Sequence, residues 1–394
     1  MLACPSDRFK DRDTIMSNPL TQLNSLGQSV WLDLIRRNML TPGGEMQKLI
    51  EKDGVRGVTS NPAIFEKAIN GSSDYDTEIR ALGKKGMSTT DIYESLAIDD
   101  VGRAADFFRS LYDSTKGADG FVSIEVSPTL AHDTDGTVVE ARRLWKTLNR
   151  PNIMIKVPGT KAGIPAVRTL LTEGINVNIT LLFAVERYEE TLEAYIQALE
   201  ERAKKGLPID RIASVASFFL SRIDTLLDPQ IQKVADTGGP KADVARALPG
   251  TIAVANAKVA YQKYGIVTAT ERWKKLAALG ARPQRLLWAS TSTKNPKYSD
   301  TMYVEPLIGA DTVNTMPMET VDAYRDHGKP AARITEDLIG AQRQLAQLKE
   351  IGIDLGAATQ QLEDEGVKKF VEPFGKLLKS VETKVKAVLA SANA

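Results

Sequence analysis

Cysteine is nearly absent: Cys4 alone occurs in 394 residues, which rules out a disulfide within the chain. Histidine is almost as scarce, with only His132 and His327. A Cys/His zinc site therefore lacks its ligands, and no thiol–imidazole pair is available from core positions. Neither sign of charge dominates. The 51 basic and 50 acidic residues leave a formal net charge of +1, which argues against a dedicated nucleic-acid surface but permits a local basic pocket. No apolar run approaches the ~20 residues of a membrane span, so no membrane partner is expected. The opening MLACPSDRFKDRDT is too charged for the apolar part of a signal peptide. Residues 1–16 read as a disordered extension upstream of Met16, and the chain as cytoplasmic. Catalysis, if present, must rest on Lys, Asp, Glu, Ser, Thr, Asn and Arg.

With 42% hydrophobic residues, the chain can bury a sizeable core. Apolar, β-rich runs recur along it with helical stretches between them. They predict eight strands, at Ser29–Leu34, Val55–Ser60, Phe121–Val126, Ile153–Val157, Ile175–Thr180, Ile212–Ser217, Leu286–Ser290 and Thr312–Thr315. Thr137–Leu148 and Val185–Lys205 carry apolar residues at three- and four-residue spacing, and Ser88 leads a helix start. Eight strands alternating with helices predict an α/β fold, a (β/α)8 TIM barrel. The surplus length falls in three helical additions: Asn70–Lys116, Asp228–Arg285 with its breaker DTGGPK, and a tail from Pro330 onward. Residues 17–394 are thus expected to form one barrel domain that includes surface helices over about 330–394.

Strands of a closed parallel barrel usually read as continuous apolar runs. Here they alternate. Val30, Leu32 and Leu34 share one phase opposite Asp33, Ile153, Ile155 and Val157 oppose Lys156, and Val122, Ile124 and Val126 oppose Ser123 and Glu125. In INVNIT, the isoleucines and Val177 oppose Asn176, Asn178 and Thr180. If the apolar phase packs on helices, Asp33, Glu125, Lys156, Asn178 and Thr180 point into the barrel near the C-terminal strand ends, where barrel enzymes keep their sites. Solvated strand ends are the plain alternative, but a lysine and two carboxylates buried unpaired would be costly. Lys156 is either a nucleophile for imine chemistry or the partner of Glu125 or Asp33 in a salt bridge. Metal-assisted aldol chemistry would need a denser ligand set.

Ser217 and Arg222 in SFFLSRID stand at the start of a helix, and Ser290 and Lys294 lie in STSTKNP. Hydroxyls, cations and helix-terminal N–H groups together suit a phosphate. An ion pair with Asp224 is the alternative for Arg222, and solvation the alternative for Lys294.

SVWLDLIRR, GVTSNPAIF, FVSIEVSP, NIMIKVPGT, GINVNITLLF, ASFFLSRID and LLWASTSTKNP, in this order, resemble successive strand motifs of the transaldolase family. LEDEGVKKF adds a likeness to its longer bacterial form. The resemblance implies a cofactor-free transferase of the non-oxidative pentose phosphate pathway, monomeric or homodimeric, that moves dihydroxyacetone between sugar phosphates. It implies Lys156 as the Schiff-base lysine, Asp33 as the carboxylate handling the C4 hydroxyl proton, and Glu125 as an acid/base acting through a water held by Thr180. It further implies Asn61 and Asn178 as amides on the ketol portion, Ser217 as a substrate ligand, Arg222 as the main phosphate ligand and Phe219 as an aromatic near the water. Ser290 matches the serine after strand seven. The arginine that shorter members place just beyond it is missing, with Lys294 as the candidate replacement. A Schiff-base aldolase releasing dihydroxyacetone, part of a bifunctional sugar-phosphate enzyme, and a catalytically silent barrel are the rival readings. The tail segment Asp364–Phe374, with Phe370 and Phe374, is expected either to fold over the barrel mouth and limit water entry or to serve as helix packing.

Overall fold

The computed structural model describes residues 18–390; Cys4, Met16 and the N-terminal extension lie outside the described residues. Eight parallel strands form one closed barrel in sequence order, β1 closing on β8. They are β1 (Gln28–Leu32), β2 (Val55–Val58), β3 (Phe121–Glu125), β4 (Ile153–Pro158), β5 (Val177–Leu182), β6 (Ser214–Phe219), β7 (Arg285–Ala289) and β8 (Thr312–Met316). All eight expected strands are present. Two of them, β5 and β6, start two residues later than the apolar runs suggest. Asn176 explains part of this: its amide donates to the Pro151 and Ile153 carbonyls and accepts from the Ala213 N–H, tying three strand entrances together.

The helices fill the connections as expected. Helix α1 (Pro19–Ser25) precedes β1, and α2 (Glu45–Asp53) joins β1 to β2. Helix α3 (Pro62–Asn70) follows β2, and the first addition contains α4 (Asp76–Lys84) and the long α5 (Thr89–Ser114), whose N-cap Ser88 accepts from the Asp91 N–H. Single helices α6 (Thr134–Leu148), α7 (Gly163–Glu173) and α8 (Val185–Lys204) serve the next three crossovers. Helix α9 (Ser221–Ala235) runs into the second addition, which holds α10 (Pro240–Ala245), α11 (Ile252–Thr268) and α12 (Glu271–Ala278), with α10 starting at the proline of the breaker. After β8 come α13 (Met318–His327), α14 (Leu338–Glu350) and α15 (Leu355–Ala390). No helix among the described residues is long and apolar enough to cross a membrane. The tail from Pro330 onward forms two helices, α14 and α15. Helix α15 is a single element of 36 residues that packs on α3, α4, α5, α9 and β5, so it reaches across the barrel.

The outward phase of the strands, including Val30, Leu32, Ile153, Ile155 and Ile179, is fully buried under the helices. At the N-terminal end the interior is plugged. Asp119 accepts from the Ser29 hydroxyl and from Trp31 Nε1 at 2.9 Å, while Arg285 donates to Ser29 Oγ at 2.8 Å. Gly57 is required beside this plug, because a Cβ there would lie 2.6 Å from Trp31 Cε2 and 2.7 Å from the Phe121 carbonyl oxygen. With that end filled, the interior opens toward the C-terminal ends of the strands.

Candidate active site

A cavity of about 460 Å³ occupies the C-terminal mouth, and Asp33, Asn61, Lys156, Thr180, Ser217 and Arg222 all line it. Lys156 is 4% exposed and sits in the centre of β4, opposite Glu125 on β3. Its ammonium donates to the Ser60 carbonyl at 3.2 Å and lies 3.3 Å from Glu125 Oε2. The lysine is thus paired with Glu125 and also faces the cavity.

The two carboxylates have different surroundings. Asp33 follows β1, where its backbone N–H still bonds the Met316 carbonyl, and its Oδ1 accepts from Thr59 Oγ1 at 2.7 Å. Burial raises its pKa from the ordinary aspartate range, opposed by Lys156 and the Thr59 hydroxyl. Glu125 is pushed up to about 7 by burial, although Lys156 pulls in the opposite direction. Among the described residues, neither Glu125 carboxylate oxygen nor the buried Thr180 hydroxyl has a directed hydrogen bond. Thr180 lines the mouth cavity with Lys156, whereas Glu125 is not in its lining and faces a second pocket together with Tyr93 and Phe374.

Local structure sets the remaining polar groups. Asn61 caps α3 by accepting from the Ile64 N–H at 3.0 Å, which commits its oxygen and leaves its NH2 for the cavity. Asn178 lies one layer deeper. It donates to Ser123 Oγ at 3.0 Å and accepts from Ser217 Oγ at 2.7 Å, so it bridges β3 and β6 across β4 and β5 beneath the cavity floor.

Arg222 is in the first turn of α9, with its guanidinium 5.1 Å from the Phe219 ring and its Nη1 buried without a partner among the described residues. Asp224 does not pair with it: that carboxylate is buried and accepts from the Ala253 N–H and the Tyr303 hydroxyl. Burial lowers the Arg222 pKa, opposed by Asp33 and Glu365. Ser290 adopts φ 55 at the end of β7, a conformation that costs an ordinary residue free energy, and its hydroxyl contacts Ser221 Oγ at 2.8 Å. Lys294 also lines the mouth and donates to Ser292 Oγ. Arg222 and Ser290 thus meet at the N-terminus of α9, and Lys294 lines the same cavity. This arrangement favours an anion.

The family model for transaldolase/fructose-6-phosphate aldolase matches residues 30–381 of the chain. The chain belongs to this family. A transaldolase of Trichodesmium erythraeum is 50% identical over 378 residues, covering 94% of this chain and 99% of its own length. A transaldolase of Parafrankia sp. is 45% identical, with 93% and 98% covered, and one of Thermobifida fusca is 44% identical, with 94% and 100% covered. The protein is accordingly an enzyme of the transaldolase/fructose-6-phosphate aldolase family on a (β/α)8 barrel.

Several groups at this mouth escape a reading of the sequence. Thr59 is the main one: besides holding Asp33, its hydroxyl lies 2.7 Å from Thr315 Oγ1 of β8. Its signal was present, since it continues the inward phase of β2 beyond Gly57. Arg36, Lys67 and Glu319 also line the cavity, but as loop and helix residues they carry no periodic mark. Arg36 is paired with Glu45 at 2.6 Å. Phe370 of α15, one of the two tail aromatics expected either over the mouth or in helix packing, has its ring centre 5.4 Å from Lys156 Nζ. The tail does fold over the mouth.

Proposed function

We propose that this enzyme is a transaldolase that carries a dihydroxyacetone unit from fructose 6-phosphate or sedoheptulose 7-phosphate to an aldose phosphate, through an imine on Lys156. It would act in the cytoplasm, in the non-oxidative pentose phosphate pathway. The observation that carries the reading is Lys156 itself, a buried amine that faces a sugar-sized cavity with Glu125 at 3.3 Å. In this reading neutral Lys156 attacks C2 of the ketose, and Glu125, through a water shared with Thr180, supplies the proton on which the C2 oxygen leaves as water. Asp33 takes the C4 hydroxyl proton, the C3–C4 bond breaks, and the iminium accepts the electron pair to become an enamine. Asn61 and Ser217 hold the ketol oxygens, Asn178 orients Ser217 from below, and Phe219 closes the side next to Arg222. Arg222 takes the phosphate together with Ser290, and Lys294 stands in for the second cation. The reverse steps deliver the fragment to the acceptor aldehyde.

Incubation with fructose 6-phosphate followed by borohydride tests the reading, with the adduct located by peptide mass spectrometry. A dihydroxyacetone-derived adduct on Lys156 is expected; an adduct on another lysine would keep the chemistry and overturn the residue, and no adduct removes the mechanism. Glu125 should also leave a mark on the pH dependence. Its carboxyl, with a pKa of about 7, donates only when protonated, so trapping at saturating donor should slow as pH rises through about 7. Glu125→Gln, which cannot titrate, should lack that inflection. If the inflection persists in the variant, another group is the proton donor.

A further inference from the structure

Helix α15 is fastened over the mouth at several independent points. Its buried Glu363 pairs with Arg187 of α8, Nε to Oε2 at 3.3 Å. One turn on, Gly366 lies against β5: a Cβ there would be 3.0 Å from Leu181 Cδ2. Leu181 itself adopts φ 62, where the register of β5 against β6 shifts. The same irregular step thus follows Thr180 and receives the helix. Further along, Phe374 meets Tyr93 edge-on at 5.8 Å, and Lys384 donates to the Ile69 carbonyl at 2.7 Å and pairs with Asp76 at 2.9 Å. Phe370 lies between these fastenings, 7% exposed, lining the cavity with its ring over Lys156.

A phenyl ring offers no proton and no lone pair to a ketose, so its use at this place is to occupy volume next to Nζ and keep water from it. We propose that Phe370 is a specificity-determining residue, the roof that keeps water off the Lys156 adduct and so favours passing the three-carbon fragment to an acceptor over losing it. The inference rests on the imine reading above. Loss to water requires the enamine to be protonated at C3 and a water to add to C2. The C2–N bond then breaks as a proton passes to Nζ, which returns the lysine and releases dihydroxyacetone. With the water shared by Glu125 and Thr180 engaged in proton transfer, the water that adds must come from solvent to C2 beside Nζ, on the side where the ring now lies.

The test compares Phe370→Ala and Phe370→Leu with the unaltered enzyme, given fructose 6-phosphate with and without erythrose 4-phosphate. Free dihydroxyacetone is measured per fragment transferred, alongside borohydride trapping on Lys156. Phe370→Ala should still be trapped and should raise the released share about tenfold, while Phe370→Leu, which restores most of the volume, should stay near the original ratio. A Phe370→Ala enzyme that is trapped normally with an unchanged ratio overturns the inference and leaves the ring as packing. If Phe370→Ala does not fold, Phe370→Leu against Phe370→Val carries the same comparison, with equal ratios as the overturning result. Failure to trap Lys156 in the unaltered enzyme is a separate outcome, which overturns the imine reading and this inference with it.

Discussion

Replacing Lys156 by alanine is expected to lower turnover by at least about four orders of magnitude, because no other group can form the covalent intermediate at this position. The loss should appear in kcat, with donor binding largely kept through Arg222 and Ser290, which line the same cavity. Lys156→Arg is the informative companion. It keeps a cation opposite Glu125, so the buried carboxylate is not left without its partner, yet a guanidinium does not form the imine. Equal loss in both variants separates covalent chemistry from charge pairing. If Lys156→Arg retained substantial turnover, the lysine would be acting as a countercharge and the imine mechanism would fall. The alanine variant should still fold, since Glu125 would then lose the influence that lowers its pKa and remain protonated at neutral pH. A thermal melt of each variant checks that the comparison is between folded enzymes.

The barrel was legible because its signal is local. Period-two alternation around Asp33, Glu125, Lys156 and Thr180 survives any ignorance of how the strands close, and their common position near strand ends places them at one mouth. What depended on register was not legible. Asn178 reads like its neighbour Thr180 in sequence, but pairing across β3, β5 and β6 gives its amide to Ser123 and Ser217 and sets it below the floor. Ser290 carries no mark in the sequence of its left-handed backbone, since serine is ordinary there in every other respect. Phe370 is the extreme case. Its residue type and spacing suit helix packing as well as a roof, and only the docking of α15 through Gly366 and Glu363 brings it to Lys156. Contacts between a tail helix and a central strand are set by tertiary packing, on which local pattern is silent.

Asp33→Asn should separate cleavage from imine formation. The imine step uses Lys156 and Glu125, whereas breaking C3–C4 requires the C4 hydroxyl to lose its proton, and asparagine cannot take it. The amide is close in size, and Thr59 remains available as its hydrogen-bond donor. Turnover should fall about a thousandfold, while borohydride still traps Lys156. The trapped species should change: the whole six-carbon sugar phosphate should be found on the lysine in place of the three-carbon fragment. Mass spectrometry distinguishes the two directly. The pKa shift agrees with a base at this position, because burial raises Asp33 and makes its ionised form a stronger proton acceptor than a solvated aspartate. A three-carbon adduct accumulating at the original rate in Asp33→Asn would assign the cleavage base elsewhere, with Glu125 the next carboxylate in reach of Lys156. No adduct of either size would mean that Asp33 acts before cleavage, in the formation of the imine.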